Sequence, residues 1–465
     1  MDKVGRKEYL GITIDYNRES KLDKFSLDTL RDRYFWKEET HAQEALARAA
    51  VFAATYKNNT DFELAQRLYD YSSLHWFMFS TPILSNGGTS RGLPISCFLN
   101  YVPDSRVGLS AHYDENIWLA SAGGGIGGYW GDLRSNGVST SNGSKSTGCI
   151  PFMHVVDSQM LAFNQGVTRR GSYAAYLDIS HPEIEEFLNM RKESGGDINR
   201  KCLNLHNGVN ITNDFLKAIK NDEDWRLIDP KTNKPVKTIN ARSLWWQLIN
   251  ARAETGEPYL INIDTCNEHL PKSQKDLGLE IKQSNLCSEI TLATNEERTA
   301  VCCLSSVNLE KFDEWKDNKL FISDLITMLD NVIQHFIENI VDIEELGEYN
   351  ANYKRFTNYI KEEKEGYQKA AFSAYRERSI GLGAMGFHAY LQSKNVPFEG
   401  MEATGINYRL FKHINSKATK ATQDLADMRG SCPDAGSSNV RNVHLIAVAP
   451  NASSSIICGG TSPSI

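Results

Sequence analysis

The chain has 465 residues, of which 41% are hydrophobic and 23% charged, with a formal net charge of −7. This composition allows a large core and excludes both a disordered chain and a polyanion-binding surface, so nucleic acid is not an expected partner. No stretch approaches the ~20 apolar residues that span a bilayer, and the first twenty residues lack a signal-peptide core. We therefore expect a cytoplasmic protein that binds no membrane.

The predicted elements begin with two helices, whose starts are indicated by Thr40 with Gln43 and by Thr60 with Glu63 as capping boxes. A later helix is predicted from about Ser323. From about residue 81, β-prone runs alternate with helical stretches, at 95–99, 173–177, 259–263, 300–304 and 445–449. This alternation predicts an α/β fold with parallel strands. We predict a helical N-terminal region over residues 1–80 and a catalytic domain over residues 81–465.

The cysteines are the residues most informative about chemistry. In a reducing compartment the nine are expected to be thiols, metal ligands or redox catalysts rather than static disulfides. The chain has no CxxC motif and no CxxC…HxxxH arrangement, so no structural zinc site is predicted, and we assign no metal ligand.

The segment at 283–289 combines three chemical groups. Asn285, Cys287 and Glu289 lie at positions i, i+2 and i+4. In an extended segment these side chains project to the same side. A thiol is then flanked by an amide that can orient a substrate and a carboxylate that can accept a proton. Taken alone, the triplet is equally typical of a buried cysteine on a strand.

Two further cysteines supply the context. Cys97 and Cys302 each lie in a β-prone run, and Cys302 follows Cys287 by 302 − 287 = 15 residues. Two thiols that meet across adjacent strands form a reversible dithiol that can deliver two electrons. A third thiol beside a carboxylate favours a radical reduction over hydrolysis.

The segments NLCSE (285–289), ISCFL (95–99) and AVCCLS (300–305) resemble active-site segments of ribonucleotide reductase large subunits. TPIL (81–84), GCIPF (148–152), SIGLG (379–383), PNASSS (450–455) and the segment 256–267 also resemble that family. The resemblance extends from roughly residue 40 to the last residue. It implies the ten-stranded β/α barrel of the ribonucleotide reductase type, incomplete here, with a helical N-terminal layer.

The resemblance also implies catalytic roles. Cys287 would carry the thiyl radical that abstracts the ribose 3′ hydrogen, Glu289 would accept the 3′ hydroxyl proton, and Asn285 would hold substrate. Cys97 and Cys302 would be the reducing pair, oxidised to a disulfide in each turnover.

The doublet at 302–303 leaves a choice for the second reducing cysteine. Neighbours on an extended strand point to opposite faces, so only one of the two can face Cys97. The spacing to the following Leu-Ser favours Cys302, with Cys303 as its buried neighbour.

A second implied site is a cradle for the substrate diphosphate. Small residues at a strand-to-helix junction let backbone N–H groups meet phosphate oxygens, although a serine-rich turn is the simpler interpretation of the bare sequence. The resemblance assigns this role to Pro450, Asn451, Ala452, Ser453 and Ser454, completed by Thr81, Ser96 and Gly125. The glycines at 123–128 match G-x-G-x-x-G, but no helix is predicted after them. We therefore interpret them as permitting close backbone approach to a substrate rather than as a dinucleotide site.

Two loops resemble the family's regulatory elements. One corresponds to the specificity site, where a deoxynucleoside triphosphate binds at a dimer interface, and the loop at 164–171 would pass that information to the substrate base. The matching residues are Asp104, Ser105, Arg106 and Arg134 for the effector and Arg170 for the base contact. The resemblance thus implies deoxynucleoside triphosphates and ATP as allosteric effectors, and a homodimer of large subunits.

The resemblance implies further partners. A metal-containing small subunit would supply the radical, thioredoxin or glutaredoxin would reload the dithiol, and this chain would bind no cofactor of its own. The sequence ends where related subunits continue, so we expect either a fragment or a naturally split subunit completed by a second polypeptide. The polar end favours the split subunit. The alternatives are a cobalamin-dependent reductase of the same superfamily and a non-catalytic nucleotide-binding fragment.

Overall fold

The computed structural model describes residues 4–95, 97–163, 171–347 and 350–465. The chain divides into two compact units. The first unit comprises Met1–Ser96, Cys302–Lys361 and Ser373–Ile465, and the second comprises Cys97–Val301 and Glu362–Phe372. No helix in the described ranges is both long and apolar enough to cross a membrane.

The strands, in chain order, are β1 (Arg6–Tyr9), β2 (Ile12–Asp15), β3 (Thr55–Tyr56), β4 (Asn59–Thr60), β5 (Phe77–Phe79), β6 (Cys97–Tyr101), β7 (Gly125–Tyr129), β8 (Ser172–Asp178), β9 (His206–Ile211), β10 (Asp224–Asp229), β11 (Lys234–Asn240), β12 (Tyr259–Asn262), β13 (Ala300–Asn308) and β14 (Ile380–Met385).

The helices are α1 (Lys24–Arg33), α2 (Ala42–Ala53), α3 (Phe62–Ser73), α4 (Thr81–Asn86), α5 (Arg106–Ser121), α6 (Ile150–Ala162), α7 (Ile184–Asn189), α8 (Asn213–Asn221), α9 (Ala241–Thr255), α10 (Ile263–Glu268), α11 (Lys272–Asp276), α12 (Phe312–Trp315), α13 (Phe321–Ile340), α14 (Ile343–Leu346), α15 (Tyr353–Phe356), α16 (Gln368–Glu377), α17 (Phe387–Ser393), α18 (Met401–Arg429) and α19 (Ala452–Ile457).

The second unit is built on a parallel sheet. Five strands follow the order β12-β9-β8-β7-β6, and every neighbouring pair is parallel. Helices connect successive strands, as the crossover between parallel strands requires. β6 and β7 are buried along almost their whole length, which is typical of a sheet covered on both faces. The predicted α/β class with parallel strands is confirmed.

The first unit combines helices with a smaller sheet. β13 pairs with β14 in parallel and with β5 in antiparallel orientation. The long helix α13 buries apolar side chains along its length, because Leu325, Leu329, Ile333 and Phe336 recur at helical spacing. The helix predicted from about Ser323 is therefore confirmed, with a start two residues earlier.

Two local predictions are wrong in detail. α2 begins after His41 rather than Thr40, and the carboxylate of Glu44, not Gln43, accepts the backbone N–H groups of both residues. α3 begins after Asp61 rather than Thr60, because the Asp61 carboxylate accepts the N–H of Leu64. In both cases the capping bond is made by an acidic side chain one position after the predicted residue, by Glu44 instead of Gln43 and by Asp61 instead of Thr60.

The predicted strand at 445–449 does not form. The segment runs beside β14, where the N–H groups of Ile380 and Leu382 donate to the carbonyls of His444 and Leu445. Those two bonds do not continue into a ladder, so the segment is irregular although its sequence is β-prone. By contrast, the runs at 173–177 and 300–304 lie within β8 and β13 as predicted.

Candidate active site

The cysteine segment at 283–289 forms a loop, and the prediction that it is extended is wrong. Leu286 and Cys287 form a turn, and Ser288 adopts a left-handed backbone conformation with φ of 64°. A left-handed residue breaks the alternation of an extended chain. As a result Asn285 is buried, Cys287 is exposed and Glu289 is half-buried, instead of all three facing one side.

The loop lies directly against the parallel sheet of the second unit. A Cβ added at Gly127 on β7 would lie 2.0 Å from the carbonyl oxygen of Ser284 and 2.8 Å from Cα of Asn285. The hydroxyl of Tyr176 on β8 donates to the carbonyl of Asn285 at 2.6 Å. At Gly127 the glycine run therefore permits close backbone approach of this loop, while the predicted approach of the run to a substrate stays a prediction.

Gln283 fixes the beginning of the loop. No role for this residue was predicted from the sequence. Its side chain is fully buried, and Nε2 donates to the carbonyls of Asn100 at 2.9 Å and Gly127 at 3.2 Å. Its Oε1 accepts the hydroxyl of Thr294 at 2.9 Å. One amide therefore joins β6, β7 and the two arms of the loop. Its position four residues before Cys287 was the only available signal.

Asn285 closes the turn with one end of its side chain. Oδ1 accepts the backbone N–H groups of Glu289 and Ile290, each at 3.1 Å. Nδ2 has no hydrogen-bond partner among the described residues, although the residue is fully buried. A buried donor without a partner is costly, so Nδ2 is suited to bind a group supplied from outside the chain.

Glu289 is the carboxylate beside the thiol. Its Oε2 is buried and has no hydrogen-bond partner within the described part of the chain. Burial raises the pKa of Glu289 above its ordinary value, against an opposing effect of the nearby Asn285 amide. A carboxylate with a raised pKa is a stronger base, which suits proton acceptance near neutral pH.

The two cysteines of the predicted reducing pair lie in different units. Cys97 begins β6 and lies opposite Gly125 of β7 in the second unit, and it is buried. Cys302 lies on β13 in the first unit and is also buried, as is Cys303. A Cβ added at Gly381 on β14 would approach Cys302 Sγ to 3.1 Å. The pairing of Cys97 with Cys302 stays a prediction.

The predicted phosphate cradle includes Asn451, whose backbone is left-handed with φ of 58° and which precedes α19. Its Nδ2 donates to the carbonyls of Ala449 at 2.8 Å and Ala384 at 3.1 Å, and its Oδ1 accepts the hydroxyl of Ser306 at 2.9 Å. The side chain of Asn451 is therefore occupied in holding the turn. Phosphate recognition at this segment would fall to backbone N–H groups and hydroxyls.

Among the other cradle residues of the first unit, Ser453 contacts an arginine for which no role was predicted from the sequence. Nη1 of Arg33 on α1 donates to Oγ of Ser453 at 3.4 Å. Thr81 begins α4, and its hydroxyl is 3.0 Å from that of Tyr34. Ser454 is buried and Pro450 is exposed, whereas Ser96 lies outside the described residues. Arg33 could be found only from the structure, because 420 residues separate it from Ser453.

Comparison with known proteins decides the family. Residues 95–439 match the family model "Ribonucleotide reductase, barrel domain", and residues 20–92 match "Ribonucleotide reductase, all-alpha domain". The chain belongs to the ribonucleotide reductase large-subunit family.

Relatives and a solved structure agree with this assignment. The chain is 48% identical over 403 residues to a Frog virus 3 (isolate Goorha) protein described as a ribonucleoside-diphosphate reductase large subunit, covering 87% of this chain and 66% of the relative. It is 42% identical to the ribonucleoside-diphosphate reductase large subunit of Invertebrate iridescent virus 3, covering 97% and 75%. The Actinobacillus ureae class Id ribonucleotide reductase alpha subunit superposes with a TM-score of 0.79 at 32% identity, covering 96% and 75%. The chain thus spans about two thirds to three quarters of these reductase subunits.

In this reductase chain two of the predicted effector residues contact each other. The guanidinium of Arg134 donates from Nε to both carboxylate oxygens of Asp104, at 2.9 and 3.0 Å. Ser105 caps α5 by accepting the N–H of Gly108, and Arg106 is exposed in the first turn of α5. Arg170 lies outside the described residues.

One group of metal-binding residue types occurs in the described parts of the reductase chain, at Cys149, His181 and Glu183, all buried. His181 accepts the Glu183 N–H at Nδ1 and donates from Nε2 to the carbonyl of Leu133. Glu183 accepts the N–H of Cys149 and pairs with Arg200 at 3.3 Å. Both nitrogens of His181 are thus occupied, so the group is a hydrogen-bonded cluster rather than a prepared metal site.

Proposed function

We propose that the chain is the catalytic part of a class I ribonucleotide reductase large subunit and reduces ribonucleoside diphosphates to 2′-deoxyribonucleoside diphosphates. The observation that carries this proposal is the loop of the second unit. In this loop the exposed thiol of Cys287 lies between the buried amide of Asn285 and the carboxylate of Glu289. Among the described residues, Asn285 Nδ2 and Glu289 Oε2 have no hydrogen-bond partner. The barrel-domain match over residues 95–439 supports the same assignment.

The chemistry assigns one step to each group of the loop. A thiyl radical on Cys287 takes the 3′ hydrogen atom of the ribose, so that an S–H bond forms and a C–H bond breaks. Glu289 accepts the proton of the 3′ hydroxyl, and its raised pKa increases its basicity. Nδ2 of Asn285 donates to a substrate hydroxyl and thereby gains the partner that it lacks in the protein alone.

Removal of the 2′ hydroxyl as water requires two electrons and two protons. We assign these to the thiols of Cys97 and Cys302, which become a disulfide in each turnover. Thioredoxin or glutaredoxin then reduces that disulfide through cysteines outside this chain.

The substrate diphosphate is assigned to the first turn of α19 and its surroundings. The residues of this proposed cradle are Pro450, Asn451, Ala452, Ser453 and Ser454, with Thr81, Ser96 and Gly125. Arg33 adds a positive charge at Ser453 that an anionic substrate would require.

Regulation and assembly complete the proposal. Asp104, Ser105, Arg106 and Arg134 form a deoxynucleoside triphosphate site in a homodimer, and Arg170 relays its occupancy to the substrate base. A metal-containing small subunit supplies the radical. The domain boundary that we propose lies at residue 80.

A single-turnover experiment tests the proposal. The pre-reduced reductase, assembled with its small subunit, is given ribonucleoside diphosphate without external reductant. We expect one deoxynucleotide per active site, with one new Cys97–Cys302 disulfide found by mass spectrometry. Continued turnover without reductant, or product without any new disulfide, would refute the mechanism. A disulfide to Cys303 would change only our choice within the doublet.

A further inference from the structure

Three arginine side chains surround one aspartate in the first unit, away from the residues assigned to catalysis. Asp330 on α13 is fully buried, and its carboxylate pairs with Arg378 at 2.7 Å and with Arg429 at 2.8 Å. Arg441 lies 3.4 Å from the same carboxylate. The cluster therefore holds three positive charges around one negative charge.

A cavity of about 130 Å³ opens beside this cluster, and its lining includes all three arginines together with Tyr56 and Lys57. Only Nη1 of Arg429 donates to described residues, so Nε and Nη2 keep donors for another partner. Its guanidinium lies 3.9 Å from the Tyr56 ring centre, which fixes its orientation. The exposed ammonium of Lys57 forms no ion pair with any described residue.

Two acidic side chains near the cluster have other partners. Asp434 is paired with Arg376 at 2.7 Å. Glu338 on α13 accepts a hydrogen bond from Gln334 and lines a neighbouring, larger cavity. Arg441 donates to the last carbonyls of α18, which contribute only the partial negative charge of a helix end.

The excess charge has an electrostatic cost. Burial lowers the pKa of Arg378, and repulsion from Arg441 lowers it further. Burial also opposes ionisation of Asp330, yet the arginines hold its pKa well below the usual range. Buried charges are stable only when they are paired, and a guanidinium matches the oxygens of a phosphate group with parallel hydrogen bonds.

We propose that this cavity is a phosphate-binding site, in which Arg429 and Lys57 bind a phosphate group that neutralises the charge left by Asp330. The cavity volume of about 130 Å³ is several times the share of about 30 Å³ that one water molecule occupies. The cavity is therefore large enough for a tetrahedral oxyanion. A larger cavity of about 960 Å³ shares Lys57, Ile343 and Tyr375 with it. The phosphate group is therefore either a free ion or the end of a larger polar ligand.

Calorimetric titration of the full chain with sodium phosphate at constant ionic strength tests the site. The proteins compared are the wild type, Arg429→Gln, Lys57→Ala and the control Lys412→Ala. Lys412 is exposed on α18, so its removal changes the net charge without touching the cavity. We expect a saturable component that is weakened about tenfold by Arg429→Gln and about threefold by Lys57→Ala and is unchanged in the control, whereas phosphate bound at the substrate cradle stays the same in every variant.

Equal phosphate affinity in all four proteins, or no saturable binding by the wild type, would overturn the proposal. If circular dichroism shows that Arg429→Gln does not fold, the exposed Lys57 gives the deciding variant. A titration with ATP separates the two sources. If ATP binds tightly to the wild type and this tight binding is lost in Arg429→Gln, the site holds the phosphate end of a larger ligand. If phosphate binding is saturable but no tight ATP binding is found, the site holds a free phosphate ion.

Discussion

The cysteine loop of the second unit and the proposed phosphate cradle of the first unit are both irregular segments, but they are held in different ways. In the loop, Gln283 and Tyr176 provide support from outside the Asn285–Glu289 segment, and among the described residues the polar atoms Asn285 Nδ2 and Glu289 Oε2 have no hydrogen-bond partner. In the cradle, Asn451 itself provides the support through three hydrogen bonds. Substitutions in the loop should therefore separate chemistry from stability, whereas substitutions at Asn451 should alter substrate binding through geometry.

Apart from removal of the Cys287 thiol, the largest expected effect is on the base. Glu289→Gln should preserve the fold and lower kcat by about 10²–10⁴-fold, the usual contribution of a general base. The raised pKa also predicts a pH dependence. Because the base acts when deprotonated, wild-type kcat should fall on acidification at a higher pH than for an ordinary glutamate, and this limb should vanish in the variant. The exposed Glu297→Gln is the matched control. A loss of less than tenfold, with chemistry rate-limiting, would assign Glu289 a structural role.

The next largest effect is expected from a substitution at the contact between the loop and the sheet. Gly127→Ala would place a Cβ within 2.0 Å of the Ser284 carbonyl, so the loop must move. We expect the free energy of unfolding to fall by about 3 kcal/mol, at the upper end of typical overpacking, with loss of activity. Gly405→Ala on α18 meets only Arg409 at 3.7 Å and should not destabilise the protein. Equal stability of the two variants in urea unfolding would show that the loop adapts freely.

The amide that joins the loop to β6 and β7 gives an intermediate effect. Gln283→Leu removes three buried hydrogen bonds, which should cost about 2 kcal/mol of unfolding free energy. Since Gln283 acts on loop geometry and not on substrate, kcat should fall while the acidic pH limb stays where it is. A shift of that limb in Gln283→Leu would mean that the residue also tunes Glu289.

The smallest expected effect is at the cradle. Asn451→Gly keeps access to the left-handed backbone but loses the side-chain bonds to Ala384, Ala449 and Ser306. We expect KM to rise by about threefold to tenfold with kcat nearly unchanged, which corresponds to about 1 kcal/mol of lost binding. A fall in kcat with constant KM would place Asn451 in the chemistry instead.

The sequence identifies the residues that share the loop but not their geometry, and their chemical roles stay a prediction. Asn285, Cys287 and Glu289 were identified from their types and spacing, because a thiol, an amide and a carboxylate are chemically informative wherever they lie. Their extended arrangement was wrong, since the left-handed Ser288 and the two bonds to Asn285 Oδ1 are set by tertiary packing. The contact of Gln283 with Gly127 joins residues 156 apart and leaves no local pattern.

The fold shows the same division between local and non-local causes. α13 was predictable because its apolar spacing is a property of one segment. The β-prone run at 445–449 has the residues of a strand, but among the described residues only its Leu445 carbonyl and the preceding His444 carbonyl accept backbone hydrogen bonds from β14. A Cβ at Gly383 would lie 2.5 Å from the Ala447 carbonyl, so the glycines of SIGLG allow this approach. Whether such a run joins a ladder depends on its neighbours, which one sequence does not reveal.

The central claim is that Cys287 carries the radical, and comparison of Cys287→Ser with Cys266→Ser tests it most directly. Cys266 is a half-buried cysteine of the same unit to which no role is assigned. Deoxynucleotide formation is measured in the reductase assembled with its small subunit, and substrate binding is measured in parallel. We predict that Cys287→Ser binds substrate like the wild type but forms no product, while Cys266→Ser retains activity. Appreciable turnover by Cys287→Ser would contradict the account.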